Sequence, residues 1–168
     1  MAEKIRSHIT FCILVCSAAF VSGTLCSEEL FTSETRNDNV MVRDNKAKLE
    51  WQQDTADTNN DGIVTTAPYP DGDMMNWQQA RDYCLKLEFG NYKDWRLPEV
   101  DELMTMVDYG HSYPSVDPIF KCEGNYYWSA TLYEENPNEA MYVHFNFGTD
   151  HWMPKDKPAF VRCVRRIK

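Results

Sequence analysis

The fold of this chain is decided by the stretch Asp94-Trp95-Arg96-Leu97-Pro98, which continues as Glu99-Val100-Asp101-Glu102-Leu103. Proline suits the first turn of a helix, where its missing N–H would have no partner in any case. Acidic side chains in that turn complement the helix dipole. The stretch therefore predicts a short strand or extended link that leads into a helix.

Two helices are predicted around this stretch. Asn76 is expected to cap the first, Gln79 completes a capping box, and Gly90 ends the helix. Its apolar stripe consists of Trp77, Ala80, Cys84 and Leu87. The second helix follows Pro98 and is expected to end near Gly110, with an apolar face of Val100, Leu103, Met104 and Val107.

The remaining periodicity is that of strands. Residues 39–51 predict a hairpin that turns at Asp44-Asn45-Lys46. Residues 126–131 are rich in aromatic side chains, and residues 141–147 alternate between apolar and more polar positions, as a half-buried strand does. Residues 159–165 predict a last strand. Two helices followed by antiparallel strands predict an α+β domain.

The N-terminus has the features of a secretory signal peptide. Its basic residues precede an apolar run of 13 residues, Ile9 to Val21, which is shorter than the ~20 residues that a membrane span needs. Cleavage is expected after Gly23, and lipidation at Cys26 is disfavoured because Leu25 stands where a small residue is required. The prediction is a signal peptide over residues 1–23, a flexible segment over 24–38 and one domain over 39–168, in a secreted, periplasmic or cell-surface protein.

The charge of the mature chain narrows the classes of partner. Removal of Glu3, Lys4 and Arg6 changes 17 basic and 26 acidic residues to 15 and 25, so the net charge goes from −9 to −10. Such a chain repels nucleic acid and anionic membranes, and we expect neither as a partner. The basic C-terminal cluster is interpreted as a solvated edge strand; it consists of Arg162, Arg165, Arg166 and Lys168.

Four cysteines remain after cleavage, namely Cys26, Cys84, Cys122 and Cys163. An even number in an exported domain predicts two disulfides, with three connectivities open. No pair has the spacing of metal ligands and there is no Cys-x-x-Cys, so structural disulfides are favoured over zinc or redox chemistry.

Several motifs occur together in one order. They are Trp77-x-x-Ala80-x-x-Tyr83-Cys84, Asp94-Trp95-Arg96-Leu97-Pro98, Tyr127-Trp128-Ser129-Ala130-Thr131 and Val161-Arg162-Cys163-Val164-Arg165. This set resembles the Lcl C-terminal domain family, the globular head of a bacterial collagen-like adhesin. The resemblance implies an exported bacterial protein with a C-type-lectin-like fold, two helices packed on antiparallel sheets, and a Cys84–Cys163 disulfide. Cys26 and Cys122 would then form the second pair.

One loop has part of a calcium-binding pattern. Asp57-x-Asn59-x-Asp61-Gly62 matches the first half of an EF-hand loop, with oxygen ligands at alternate positions. The twelfth position is Pro68, so Asp54, Asp71 or Asp73 would have to complete the shell. The alternative is a solvated loop with Asx turns. We expect no cofactor, and calcium at Asp57, Asn59 and Asp61 is the minority hypothesis.

The candidate ligand-binding residues are Tyr113, Tyr133 and Trp152, which are expected in surface loops. Exposed aromatic rings offer a large apolar face to a sugar or peptide, although Trp152 could instead fold over the edge of a sheet. The predicted function is an exported, adhesion-type recognition module without catalytic activity, which binds a glycan or a cell-surface protein. The alternatives are an exported enzyme of the formylglycine-generating fold group, with Cys122 or His151 as candidate residues, and a structural envelope component without a ligand.

Overall fold

The computed structural model describes residues 29–58, 63–67 and 72–168. Two antiparallel sheets and two helices make the described part a mixed α+β structure. The elements in chain order are β1 (Phe31–Arg36), β2 (Asn39–Asp44), β3 (Leu49–Gln52), α1 (Trp77–Lys86), α2 (Val100–Met104), β4 (Tyr126–Leu132), β5 (Glu139–His144), β6 (Thr149–Pro154) and β7 (Val164–Arg166).

The first sheet has the strand order β1-β2-β3-β7, and the second has the order β4-β5-β6. The predicted hairpin is confirmed as β2 and β3, with Val42 opposite Trp51. Trp51 in turn faces Val164, so the end of the chain closes the first sheet. A bridge between Tyr127 and Phe160 joins the second sheet to the segment that precedes β7. The buried side chains of both sheets form the core.

The first helix confirms the predicted start but ends at Lys86, before Gly90. Asn76 is the N-cap, its side chain accepts the N–H of Gln79 at 2.9 Å, and the Gln79 side chain accepts the N–H of Asn76 at 2.9 Å. Cys84, on the buried face of α1, forms a disulfide with Cys163, with a Cα–Cα distance of 5.5 Å. The predicted disulfide is therefore present and fastens the helix to the segment that leads into β7.

The Trp-Arg-Leu-Pro stretch links the last strand to the second helix. The Arg96 backbone exchanges two 2.9 Å hydrogen bonds with Val164. Its guanidinium holds both carboxylate oxygens of Glu102, at 2.7 and 2.6 Å. Trp95 is buried and donates its indole N–H to the carbonyl of Phe89. Both side chains therefore organise the fold, as the sequence suggested.

Helix α2 is shorter than predicted, since it ends at Met104 and not near Gly110. Beyond Met104 the chain continues in tighter hydrogen bonds between residues three apart. The N-cap of α2 is Glu99, and a hydroxyl from strand β4 supplies a side-chain acceptor at the start of the helix. The Thr131 hydroxyl accepts the N–H of Val100 at 3.0 Å and donates to the Glu99 carboxylate at 2.6 Å.

The segment predicted to be flexible, residues 24–38, contains an ordered strand instead, because residues 31–36 form β1 along β2. Phe31 is the only apolar residue of this strand, so the segment lacks the alternation of apolar and polar residues that marks a half-buried strand. Phe31 is buried and packs edge-on against Phe120, at 5.1 Å between ring centroids. The predicted signal peptide and Cys26 lie outside the described residues.

The interpretation of the C-terminal basic cluster as a solvated edge is wrong for Arg162 and Arg165, which are buried. Arg162 donates to the backbone carbonyls of Gln52 and Lys121, each at 2.6 Å, and to that of Gln53. One guanidinium therefore joins the end of β3 to the loop before β4. The buried Arg162 needs no carboxylate partner, because backbone carbonyl oxygens accept hydrogen bonds from its terminal N–H groups.

Candidate functional site

The sequence suggested a surface loop for Trp152. In the structure Trp152 lies in the edge strand β6 together with His151. The Trp152 side chain is 47% exposed. Its ring is stacked on that of Tyr133, with 4.4 Å between the centroids and an angle of 4°. The Tyr133 hydroxyl donates to the Glu135 carboxylate at 2.9 Å, which fixes the ring from its other end. Two of the three predicted binding residues therefore form a rigid pair at the sheet edge.

Tyr113, the third predicted residue, has a different neighbour. It is 71% exposed and contacts Phe147 edge-on, at 5.9 Å. Phe147 is 53% exposed and belongs to the turn between β5 and β6, whereas Trp152 is near the far end of β6. The three predicted residues therefore do not form one cluster.

A continuous series of aromatic contacts connects them. The successive centroid distances are 4.8 Å from Phe147 to His144, 4.5 Å to Tyr126, 5.1 Å to Tyr142 and 6.2 Å to His151. His151 is then 6.4 Å from Trp152. We call this series the aromatic strip, and its members are Tyr113, Phe147, His144, Tyr126, Tyr142, His151, Trp152 and Tyr133. The series passes around the edge strand β6 between His151 and Trp152, because Trp152 pairs with Met141 on the opposite face of the sheet from His151.

Strand register explains how the middle of the strip arises. Tyr126 pairs with His144, and Tyr142 pairs with His151, so these four side chains share one face of the second sheet. The neighbouring residues Tyr127 and Val143 point to the other face and are buried. The sequence did not indicate Tyr126, Tyr142 or His144 as site candidates, and it indicated His151 only for the enzyme alternative. The alternation along β5 was the signal that could have found them.

His144 occupies the centre of the strip in a defined tautomer. Its Nδ1 accepts the N–H of Asn146 at 3.3 Å, so the neutral ring carries its hydrogen on Nε2. Partial burial, together with the charge of His151 nearby, lowers the pKa of His144 from its ordinary value of 6.5. At neutral pH the centre of the strip is therefore an uncharged ring with one N–H donor.

The proposed calcium loop lies only partly within the described residues, because Asn59 and Asp61 fall outside them. Asp73, a candidate for completing the shell, is buried. Its carboxylate accepts the N–H of Thr58 at 2.6 Å and that of Thr65 at 2.8 Å. The Asp73 side chain therefore holds the two sides of the loop together. No group of three or more potential metal ligands occurs in the described ranges.

Two cavities of the described part lie away from the strip. One of about 600 Å³ surrounds Arg165, whose guanidinium lies 3.5 Å from the Tyr92 ring centroid and pairs with Glu50 and Asp94. The hydrogen bond from Arg165 lowers the pKa of the Asp94 carboxyl. A second cavity of about 640 Å³ lies beside α1, next to the partly buried Tyr83. The charged groups of the first cavity are largely engaged with one another, which indicates a structural role.

The candidate residues of the enzyme hypothesis do not come together. Cys122, which has no disulfide partner among the described residues, packs against the core beside Tyr127. His151 is on the opposite face of the second sheet, in register with Tyr142. The two side chains therefore belong to different environments. No helix in the described part of the chain is long and apolar enough to cross a membrane.

The fold and the strip define a class of protein: a disulfide-fastened α+β domain with an aromatic surface on a three-stranded sheet. A family model described as Lcl C-terminal domain matches residues 40–165. The match covers most of the chain, so the protein belongs to this family, and the resemblance of its sequence motifs is confirmed. No curated protein matches the chain in sequence comparison.

Proposed function

We propose that the protein is an exported, adhesion-type recognition module that binds a glycan or a cell-surface protein through the aromatic strip and has no catalytic activity. The observation that carries this proposal is the series of ring contacts that includes three strongly exposed side chains, Tyr113, Phe147 and Trp152. A monomeric soluble protein seldom leaves such rings together on its surface without an interaction that covers them.

The proposal includes the finer features that the family resemblance implies. They are a C-type-lectin-like arrangement of the two sheets and helices, and export directed by residues 1–23. The fold supports a binding role, because the disulfide fastens α1 to the segment before β7 and the buried Arg162 joins the end of β3 to the loop before β4. A rigid scaffold reduces the entropy lost when surface side chains bind a ligand.

The test is a pair of binding screens with the mature protein, one on a glycan array and one against purified extracellular proteins. Each screen is repeated with Trp152→Ala and with the control Leu85→Ala, which removes an exposed apolar side chain from α1. We expect a ligand whose binding falls at least tenfold in Trp152→Ala and is unchanged in Leu85→Ala. The proposal is wrong if no ligand is found, or if both variants bind as the wild type does.

A further inference from the structure

We infer that the partner bound at this site is an extended polypeptide segment rich in lysine or arginine, which adds to the second sheet as a further strand along β6. This inference rests on the proposed function and names the chemistry of its partner. The open edge of the second sheet, the direction of the free backbone groups of β6 and the carboxylates around Trp152 lead to it.

The second sheet is covered at one edge and open at the other. At the β4 edge, Trp128 donates its backbone N–H to the carbonyl of Phe160 at 3.1 Å, and Phe160 donates to that of Tyr126 at 2.9 Å. Strand β6 is the opposite edge, and in the described part of the chain residues 149–153 have no backbone hydrogen bonds outside the ladder with β5. All side chains of β6 except that of Met153 are exposed. An edge of this kind is the surface on which an extended segment can add as a strand.

The free backbone groups of β6 belong to Asp150 and Trp152. Lys155, just beyond the strand, donates its N–H toward β5, to the carbonyl of Asn138 at 3.0 Å. Because the backbone groups of an antiparallel strand point alternately to its two sides, every second residue before Lys155 also faces β5. Asp150 and Trp152 therefore direct their N–H and C=O groups outward, where an incoming strand can pair with them. Pro154 has no N–H, so the open stretch ends there.

The side chains of the same two residues give this edge its charge and its aromatic surface. Asp150 and Trp152 are two positions apart, so both side chains lie on the face of the sheet that carries Met141. The Trp152 ring is stacked on Tyr133, whose hydroxyl donates to the Glu135 carboxylate. Aromatic rings beside carboxylates attract a lysine ammonium or an arginine guanidinium, through the ring face and through the negative charge.

The carboxylates around this ring pair have no cation of their own. The hydrogen bond to Glu135 raises the pKa of the Tyr133 hydroxyl and the charge of Glu139 raises it further, so both carboxylates lie near the pair. Within the described residues, no ion pair involves Asp150, Glu135 or Glu139. Lys155 follows β6 but contacts an indole ring of α1, at 4.3 Å from the centroid. Three carboxylates without a cation favour a basic partner and repel an acidic one.

The backbone groups of the edge favour a polypeptide over a glycan. A sugar ring can stack on Trp152, but a glycan has no row of N–H and C=O groups at the spacing of a β-strand. In an antiparallel pair, residues opposite one another project their side chains on the same face. The partner residues opposite Asp150 and Trp152 therefore meet the carboxylates, and the residues between them lie on the face of His151. A segment with basic residues at alternate positions and β-branched residues between them fits this arrangement.

The test is isothermal titration calorimetry of the mature protein with an acetylated and amidated decapeptide of alternating lysine and valine. One comparison peptide has glutamate in place of lysine. The other keeps the lysines and valines but carries backbone N-methyl groups on every second residue, and it is made in both registers. N-methylation keeps the side chains and charges and removes the donors that strand pairing needs. We expect the lysine peptide to bind at least tenfold more tightly than the glutamate peptide, and at least one N-methylated register to bind at least tenfold more weakly.

Variants of the protein assign the binding to β6. Trp152→Ala should weaken the binding of the lysine peptide at least tenfold, and Asp150→Asn at least threefold. The matched control Asp38→Asn removes an exposed carboxylate from the turn between β1 and β2. It should leave the affinity within twofold, as should Leu85→Ala, because neither residue lies in the second sheet.

The outcomes separate this inference from the function on which it rests. Equal affinity for the lysine and glutamate peptides, no effect of N-methylation in either register, or binding that survives Trp152→Ala overturns the inference. So does an equal loss in Asp38→Asn and Asp150→Asn. The absence of peptide binding also overturns it, even where a glycan or self-association in sedimentation depends on Trp152. A glycan that depends on Trp152 leaves the recognition function standing, whereas that function fails as well if no ligand of any class depends on the strip.

Discussion

Replacement of Arg162 by methionine should destabilise the protein more than any surface substitution on the same segment. The side chain is fully buried and donates to the carbonyls of Gln52, Gln53 and Lys121, while its guanidinium carbon lies 5.4 Å from the Phe120 ring centroid. Methionine keeps much of the apolar volume but has no donor. Three carbonyls then lose their charged partner inside the protein.

The expected loss in the free energy of unfolding follows from the number of carbonyls that lose their donor. A buried polar group without a partner costs about 1–3 kcal/mol, so three cost at least about 3 kcal/mol. Removing a buried charge offsets part of this loss. We therefore expect a decrease of about 3 kcal/mol in the free energy of unfolding, and with a urea m-value of about 2 kcal/mol/M the midpoint falls by about 1.5 M.

Urea unfolding followed by tryptophan fluorescence measures this change. The matched control is Arg166→Met, because Arg166 is exposed on strand β7 and its loss should change the stability by no more than about 0.5 kcal/mol. The reasoning is refuted if Arg162→Met costs less than about 1 kcal/mol, or as little as the control does.

Three further predictions concern the disulfide, the second helix and the histidines. The double substitution of Cys84 and Cys163 by alanine should cost about 4.5 kcal/mol, because it opens a loop whose ends are 79 residues apart; calorimetric melting measures it, and a loss below about 2 kcal/mol contradicts the entropic argument. Thr131→Val should cost about 1 kcal/mol by urea unfolding, since α2 loses the acceptor for its first N–H, whereas an unchanged midpoint would show that water replaces the hydroxyl. NMR titration should give His144 a pKa below 6.5 that rises in His151→Gln, and a pKa at or above 6.5 would contradict the geometry. Because the unfolded chain binds this proton more readily, the contribution of His144 to stability is fully present above pH 6.5 and is lost as the pH falls toward its lower folded pKa.

The elements that the sequence predicted well are those set by local chemistry. The capping box of Asn76 and Gln79 depends on residues three apart, so it fixes the start of α1 without the rest of the fold. The β2–β3 hairpin likewise depends on a short turn between alternating residues. The Cys84–Cys163 disulfide came from the family resemblance, and the structure confirms it.

The features that the sequence did not predict depend on contacts between distant residues. Strand β1 is polar on its outer face, and it forms a strand because its backbone pairs with that of β2. The start of α2 takes its cap from Thr131, which is 31 residues away from Val100. Arg162 is buried because three carbonyls from two other segments converge on it. No local pattern contains this information.

In the candidate site, too, the sequence predicted the local features but not those that depend on contacts between distant residues. Exposure of Tyr113 and Trp152, and the partial exposure of Tyr133, were predictable from their polar surroundings in the sequence. Their connection was not, because it passes through the faces of β4, β5 and β6, whose register only the folded sheet defines. The sequence thus predicted both ends of the strip but not its middle.

The central claim is that the aromatic strip is a binding surface, and the most direct measurement is an NMR titration of the isotopically labelled mature protein with a ligand that the binding screens identify. We predict that the aromatic signals of Phe147, His144, Tyr142 and Trp152 shift together with one dissociation constant, while those of Tyr92 beside the Arg165 cavity do not. Shifts confined to the signals around that cavity, or no shifts at saturating ligand, would contradict the account.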